Sequence, residues 1–249
     1  MISVNKIRDT ISRLIGPSNI VRNDILNITQ NRVISGPFRG MQFYSEYFPS
    51  KYLLGTYELE LSSLINRLSK NKFRTIIDVG AELGYYAVGL AIKNPKARII
   101  AFERYKDWRL VISQQAKKNG VEHRVIIKGV CTLDTLAASL ENCGKCLIFS
   151  DCEGGEKTLL DPEKIPALKK CSLLIELHEF KYPDLASIIE KRFEKSHKII
   201  KISSRERTIS DLPKKFQGSL KSLLLEKYYL GSMDEKRNAS SRWYYLEVK

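Results

Sequence analysis

The sequence predicts an α/β fold, a mostly parallel seven-stranded sheet sandwiched by helices, and three observations predict it. Short apolar runs rich in β-branched residues alternate with stretches of helical period through the middle of the chain. The first run, TIIDV from Thr75, ends in an acid, Asp78, and passes at once into Gly80-Ala81-Glu82-Leu83-Gly84 and then residues that suit a helix. Later runs also end in acids or a histidine, so polar side chains gather along one rim of the sheet. That rim, at the carboxyl ends of the strands, is where open α/β sheets take their ligands.

Each element follows in order. Glycine lets the chain turn sharply after the first strand, and a helix start offers unpaired N–H groups. The spacing is not the dinucleotide fingerprint G-x-G-x-x-G, because Glu82 stands two residues after Gly80. It is not a P-loop, since no Gly-Lys-Ser/Thr follows. An acid facing the turn suits a ligand with an ammonium and hydroxyls better than one with phosphates. S-adenosylmethionine (SAM) is of that kind. About 25 residues after Asp78, ARIIAFER places Glu103 at the end of a second strand, where a carboxylate accepts ribose hydroxyls. A third strand, His123 to Val130, leads to Cys131 and Thr132, where an adenine edge would lie. The fourth, in CLIFSDCEGGE, ends in Asp151, Glu153 and Glu156, and the fifth, SLLIELHEF, in Glu176, His178 and Glu179. Lys198 to Ile202 reads as a sixth strand and Arg242 to Val248 as a seventh.

DVGAELGYYAVGLA, the AFER strand end, KNGV (Lys118 to Val121), DCEGGE (Asp151 to Glu156) and IELHE (Ile175 to Glu179) together resemble FkbM-type SAM-dependent methyltransferases. The resemblance covers roughly residues 73–180, with a weaker echo at the final strand. It implies the class I Rossmann-like methyltransferase fold, with the sixth and seventh strands as an antiparallel pair at the sheet edge. It implies that Asp78, Gly80 and Gly84 hold the methionine part of SAM, Glu103 the ribose, and that Asp151 borders the methyl-transfer site. Ala81, Glu82, Tyr86, Arg104, Cys131 and Thr132 complete the expected cofactor contacts. At Glu82 the family usually shows Asn.

Flanking segments surround this core. Residues 1–72 read as an N-terminal extension of a helix, with Ile7, Ile11, Leu14 and Ile15 at helical spacing, and a β-hairpin, NRVISGPFRGMQF, turning at Gly36-Pro37 and Gly40. Next, Leu61, Leu64, Ile65 and Leu68 repeat at helical spacing and predict a helix packed on the sheet. The methyltransferase-like domain takes 73–249, interrupted by an insertion at about 205–241 with a helical stretch near 219–229. An insertion there would sit over the active-site rim.

Of 249 residues, 42 are Lys or Arg and 28 Asp or Glu, a net charge of +14. The excess lies in residues 1–75 and 181–249, which leaves the cofactor core nearly neutral. Basic flanks permit an anionic substrate, a lipid surface or nucleic acid, although no aromatic-interleaved basic run stands out. No apolar stretch approaches the ~20 residues of a membrane span, and charges interrupt the first sixteen residues, so no secretory signal is expected. Five cysteines, an odd count, inside a nucleotide-type fold point to a reducing cytoplasm. Cys143 and Cys146 form a lone C-x-x-C. Zinc would need a second ligand pair that the three scattered histidines do not obviously supply, so the pair reads as structural.

Methyl transfer from a sulfonium is an in-line displacement, so positioning dominates the catalysis. A hydroxyl nucleophile also needs a base or a metal. Asp151 is the first candidate for base and His178 the second. No metal ligand is assigned, though an oxygen-rich Mg²⁺ site is the alternative these acids leave open. Glu176 and His178 share one face of a strand while Glu179 points to the other. Tyr57, Glu58, Glu153, Glu179 and Arg237 are the candidates for acceptor binding. The expectation is a methyltransferase acting on oxygen, on a hydroxyl of a sugar, glycan or secondary metabolite, in a cytoplasmic chain that could pair as a homodimer. RNA methylation and a non-catalytic SAM- or glycan-binding module are the alternatives.

Overall fold

The computed structural model describes residues 16–43, 49–235 and 242–249. The chain forms two compact units: Met1–Leu59 with Glu206–Lys236, and Glu60–Arg205 with Arg237–Lys249.

The second unit is the sheet. Its strands are β1 (Thr75–Val79), β2 (Arg98–Phe102), β3 (Val125–Lys128), β4 (Cys146–Ser150), β5 (Ser172–Leu177), β6 (His197–Ser203) and β7 (Arg242–Val248). They lie in the order β3-β2-β1-β4-β5-β7-β6. Neighbours among β1 to β5 pair in parallel, and β7 runs antiparallel to both β5 and β6. This is the arrangement of the class I methyltransferase fold expected above.

The order follows from the residues. The runs TIIDV, CLIFS and SLLIEL are buried along their whole length, as strands covered on both faces by helices must be. The outer strand β6 is instead only partly buried, with Lys198 and Lys201 exposed, which protects the open edge from pairing with another chain. On β7, Trp243, Tyr244, Tyr245 and Leu246 are all buried. The Tyr85–Lys93 helix carries small and apolar residues almost all round and is correspondingly buried. The helix predicted from Leu61, Leu64, Ile65 and Leu68 is present as Ser62–Leu68, entered through a short 3₁₀ turn.

Register fixes the rim. Val79 is paired with Phe102 on one side and Ser150 on the other, so Gly80, Glu103 and Asp151 all follow at the same level. The chain winds one way from β1 through β2 to β3 and the other way from β4 to β5. The crevice between β1 and β4 is therefore the topological switch point, where such sheets place a ligand.

The first unit is helical. Pro17 opens a helix, Pro17–Thr29, closed by Gln30 in the left-handed conformation. This helix was not anticipated; the one expected from Ile7 to Ile15 lies outside the described residues. Among the described residues the predicted hairpin is a single antiparallel bridge, Arg32 with Gln42, with left-handed glycines at Gly36 and Gly40 between its arms. The helical stretch expected near 219–229 is two helices, Leu220–Leu224 and Glu226–Met233. Asp24 accepts hydrogen bonds from Tyr229 and Lys221, and a buried Arg207–Glu235 ion pair is completed by Arg207 Nε donating to the Thr56 carbonyl at 3.1 Å. These pairs join the two sequence-distant halves of this unit.

Candidate active site

The site starts with the turn after β1. Gly80 (φ 89°), Glu82 (φ 44°) and Gly84 (φ 80°) are all left-handed, and the Gly80 and Ala81 amides both donate to the Phe102 carbonyl at 3.0 Å. A Cβ on Gly80 would sit 1.7 Å from the Asp151 carbonyl oxygen. Only glycine lets the end of β4 come this close, and that approach sets the width of the switch-point crevice.

Glu82 is the one non-glycine forced left-handed in this turn. Asparagine tolerates that conformation better than glutamate. Replacing Glu82 by Asn, the residue usual in the family the chain resembles, is expected to stabilise the fold by about 0.5–1 kcal/mol. Chemical denaturation measures it.

Asp78 is 1% exposed. The Ala87 amide donates to its carboxyl group, while Oδ2 is buried with no hydrogen-bond partner. Burial first, and then the negative charge of Asp151, push its pKa up to about 8; Glu103 adds a smaller push and the Ala87 amide opposes them. A buried carboxyl held protonated beside a glycine turn is a group waiting for a cation. Glu103, also buried, is held in place by two backbone amides, Glu82 N–H at 2.9 Å and Tyr105 N–H at 2.7 Å. Those two bonds, one to each oxygen, leave further lone pairs and fix the carboxylate's orientation, which suits it to accept from neighbouring hydroxyls.

The other side of the crevice is an imidazole surrounded by acids. His178, just past β5, is buried. Its Nε2 lies 3.4 Å from Asp151 Oδ1, 3.8 Å from Glu153 Oε2 and 4.0 Å from Glu176 Oε2. Its Nδ1 lies 3.2 Å from Glu156 Oε1, close enough for an ion pair but without the alignment of a hydrogen bond. Burial opposes the charged ring; Asp151 and Glu156 outweigh it and push the pKa up to about 10. At neutral pH the ring is an imidazolium.

The DCEGGE sequence builds this geometry. Asp151 N–H donates to the Val79 carbonyl at 2.9 Å, tying the end of β4 to β1. Glu153 (φ 55°) and Gly154 (φ 94°) then reverse the chain, and Lys181 holds the reversal by donating to the Glu153 carbonyl at 2.7 Å. Glu156 opens the Glu156–Leu159 helix, fully buried, with Oε1 accepting the Cys152 amide at 2.8 Å and Oε2 unpartnered. A cation centred on His178 is what allows a carboxylate to be buried there.

The expected site residues are thus sorted. Asp78, Gly80, Ala81, Glu82, Gly84, Glu103, Asp151, Glu153 and His178 lie along one rim. Tyr86 is buried in the first turn of its helix and stacks on Phe149 at 4.0 Å. Arg104 lies over the Tyr105 ring, 5.1 Å from its centroid. Cys131 follows β3 on the rim, its thiol pushed up to about 12, chiefly by burial. Thr132 caps the Leu133–Leu140 helix, its hydroxyl accepting the Thr135 amide at 3.2 Å and its own amide donating to Thr135 Oγ1 at 2.8 Å. Glu179 does not face the imidazole; it is paired with Arg242 of β7, whose Nε donates to it at 2.9 Å. Tyr57 and Glu58 belong to the first unit. Tyr57 packs on Tyr52 at 4.5 Å under the Lys51 ammonium, and the Glu58 amide donates to Glu235 at 2.9 Å. Arg237 lies outside the described residues.

Glu156 is the residue that sequence reasoning undervalued. Its place at the end of the fourth strand left it evenly balanced between complementing a helix N-terminus and a catalytic role. No local pattern announces that His178, 22 residues later, will be set against it.

No protein-family model matches the chain, and no curated protein matches it in sequence. Solved structures do resemble it. An O-methyltransferase from Bacillus cereus, determined with SAH, is 13% identical, with a TM-score of 0.49 over 98% of this chain and 97% of that one. The O-methyltransferase TomG from Streptomyces achromogenes, involved in tomaymycin synthesis and determined with SAM, is 17% identical, with a TM-score of 0.45 over 59% and 74%. A tRNA methyltransferase from B. subtilis is 12% identical, with a TM-score of 0.46 over 75% and 64%.

Proposed function

We propose that this chain is a SAM-dependent methyltransferase of the FkbM type that methylates a hydroxyl of a sugar, glycan or small metabolite. The observation that carries the reading is the buried, unpaired Oδ2 of Asp78 beside the glycine turn at the switch point. Asp78 would hold the ammonium of SAM, and Glu103, already fixed by two amides, its ribose hydroxyls. Bound SAM supplies a methyl group on a positively charged sulfur.

The chain's own residues handle the acceptor. Asp151, on the rim and partly exposed, takes the proton of the attacking hydroxyl at one carboxylate oxygen. His178 Nε2 holds the other oxygen and keeps the carboxylate aimed into the crevice. Because His178 is already charged, its role is electrostatic and positional, not that of a second base. The imidazolium also stands where a divalent cation would otherwise neutralise Asp151 and Glu153, so transfer is expected to survive EDTA.

Binding should be linked to a proton. Below pH 8 Asp78 is mostly protonated, and an ammonium ligand favours its ionised form. SAM affinity should therefore rise by up to about tenfold from pH 6 to pH 7, a range in which an α-amino group stays charged. Calorimetry in buffers of different ionisation enthalpy should report close to one proton released per SAM bound. A pH-independent affinity with no proton release would remove Asp78 from the cofactor site. Transfer of tritiated methyl groups to a panel of glycans, small alcohols and RNAs then tests the acceptor class, and incorporation into RNA alone would overturn the hydroxyl-metabolite reading.

A further inference from the structure

A second cluster of reactive side chains lies at the other end of the same strands. Cys143 and Cys146, the C-x-x-C pair, flank the start of β4, and Cys171 immediately precedes β5. Because β4 and β5 are parallel neighbours, their amino ends are adjacent, and the fold brings the third thiol to the other two. The three sulfurs lie within 4.8 Å of one another. From Cys146 to Asp151 is five extended residues, about 16 Å, so the cluster is remote from the rim.

The sequence supplied a reason to dismiss the pair, namely the lack of further ligands. Cys171 corrects that: it lies 25 residues beyond Cys146 and becomes a neighbour only through strand pairing. We propose that Cys143, Cys146 and Cys171 form a structural binding site for a thiophilic d¹⁰ cation, zinc in the first instance, with solvent completing the coordination.

The geometry suits this. Zinc–sulfur bonds of about 2.3 Å place tetrahedral ligand sulfurs ~3.8 Å apart, a separation inside the 4.8 Å within which the three sulfurs lie. Cys146 and Cys171 are buried, whereas Cys143 is half-buried and gives the cation its way in. Gly144 (φ 63°) turns the chain between the first two ligands. Among the described residues the group has no fourth Cys, His, Asp or Glu. The nearby His197 does not supply one: its Nε2 is bonded to the Cys171 carbonyl at 2.8 Å and its Nδ1 to Ser196 at 2.9 Å.

Binding needs no redox step. Each thiol loses its proton to solvent as its sulfur bonds the cation, and no electron changes hands. The consequence is structural. The Cys143 carbonyl already accepts from Thr75 Oγ1 at 2.9 Å, and the Lys145 carbonyl from the Arg74 amide at 2.8 Å. A cation held by the three sulfurs would clasp the amino ends of β1, β4 and β5 together.

The test uses the full chain, reduced and stripped of metal under argon. Titration with Co²⁺ should give one equivalent of tetrahedral d–d absorption with thiolate-to-metal charge-transfer bands, displaced by Zn²⁺. In the wild-type protein Zn²⁺ should slow alkylation of Cys143 at least tenfold, and this measurement needs no variant. Cys143→Ser, a half-buried position, should weaken Co²⁺ binding at least tenfold, whereas Cys131→Ser should leave it unchanged. An unchanged far-ultraviolet circular dichroism spectrum in both variants reports an intact fold. A parallel titration with Cu⁺ decides which d¹⁰ cation is preferred, and binding of either through the three sulfurs supports the proposal. It is overturned by the absence of charge-transfer bands with unprotected thiols, or by a disulfide between two of the three forming in preference to the metal complex.

Discussion

Replacing Asp78 by Asn should make the protein more stable and unable to hold SAM. The carboxyl is fully buried, and its pKa of about 8 means that ionising it inside the fold is opposed by burial, by Asp151 and by Glu103. A group whose folded pKa is raised contributes most to stability below its unfolded value, near 4, and that contribution is lost as pH rises through the folded value. Asn carries no such dependence. The variant's advantage should be near zero at pH 4, grow between pH 4 and pH 8, and then level off. Its size by pH 8 should be on the order of 5 kcal/mol, or roughly 10–20 °C in Tm. Asn still accepts from the Ala87 amide, so local geometry is retained. SAM affinity should fall at least about 30-fold, since a charge-assisted contact worth ~2 kcal/mol or more is gone. Thermal unfolding across pH together with SAM calorimetry reads both halves. A destabilised variant, or one binding SAM as the wild type does, would contradict the assignment. A residue that costs stability and is needed for binding is what a ligand site on a rigid scaffold predicts.

Much of this architecture was legible in the chain, for identifiable reasons. β1, β4 and β5 are continuous apolar runs buried on both faces, so their residues alone marked them as parallel core strands. Asp78, Glu103 and Asp151 were locatable because strand ends in such sheets share one level, which the register confirms. β7 matched at both ends, Arg242 to Val248. Partner choice was not legible. Whether Glu179 turns to His178 or to Arg242 depends on which strand lies beside β5, and β7 is supplied from 65 residues along the chain. Thr132 illustrates another limit. Its position suggested a cofactor contact, but its hydroxyl is engaged by the Thr135 amide of the helix it opens. Cys171 was missed, and the role of Glu156 left open, for the same reason: each acquires its meaning from a side chain beside the neighbouring strand.

The His178→Gln substitution should be the most damaging single change at the rim. The imidazolium faces the Asp151, Glu153, Glu156 and Glu176 carboxylates, and Glu156 is fully buried. Removing one partner of a buried ion pair leaves the other uncompensated, at a cost of about 3–5 kcal/mol. The pH dependence carries the signature. The folded pKa of His178 lies near 10, above the unfolded 6.5, so its stabilisation is complete below pH 6.5 and lost as pH rises through 10. The wild type should therefore weaken between pH 7 and pH 10.5, whereas the variant should lack this component and instead recover as its carboxylates protonate in acid. A double variant, His178→Gln with Glu156→Gln, removes the stranded buried charge and should regain a good part of the stability. Activity should behave differently. If His178 keeps Asp151 aimed, kcat should fall by about 10²–10³-fold in both variants, while SAM affinity, set by Asp78 and Glu103, stays within about threefold. Recovery of stability together with activity in the double variant would reduce His178 to a structural counter-ion of Glu156. Recovery of stability alone makes it the group that positions the base.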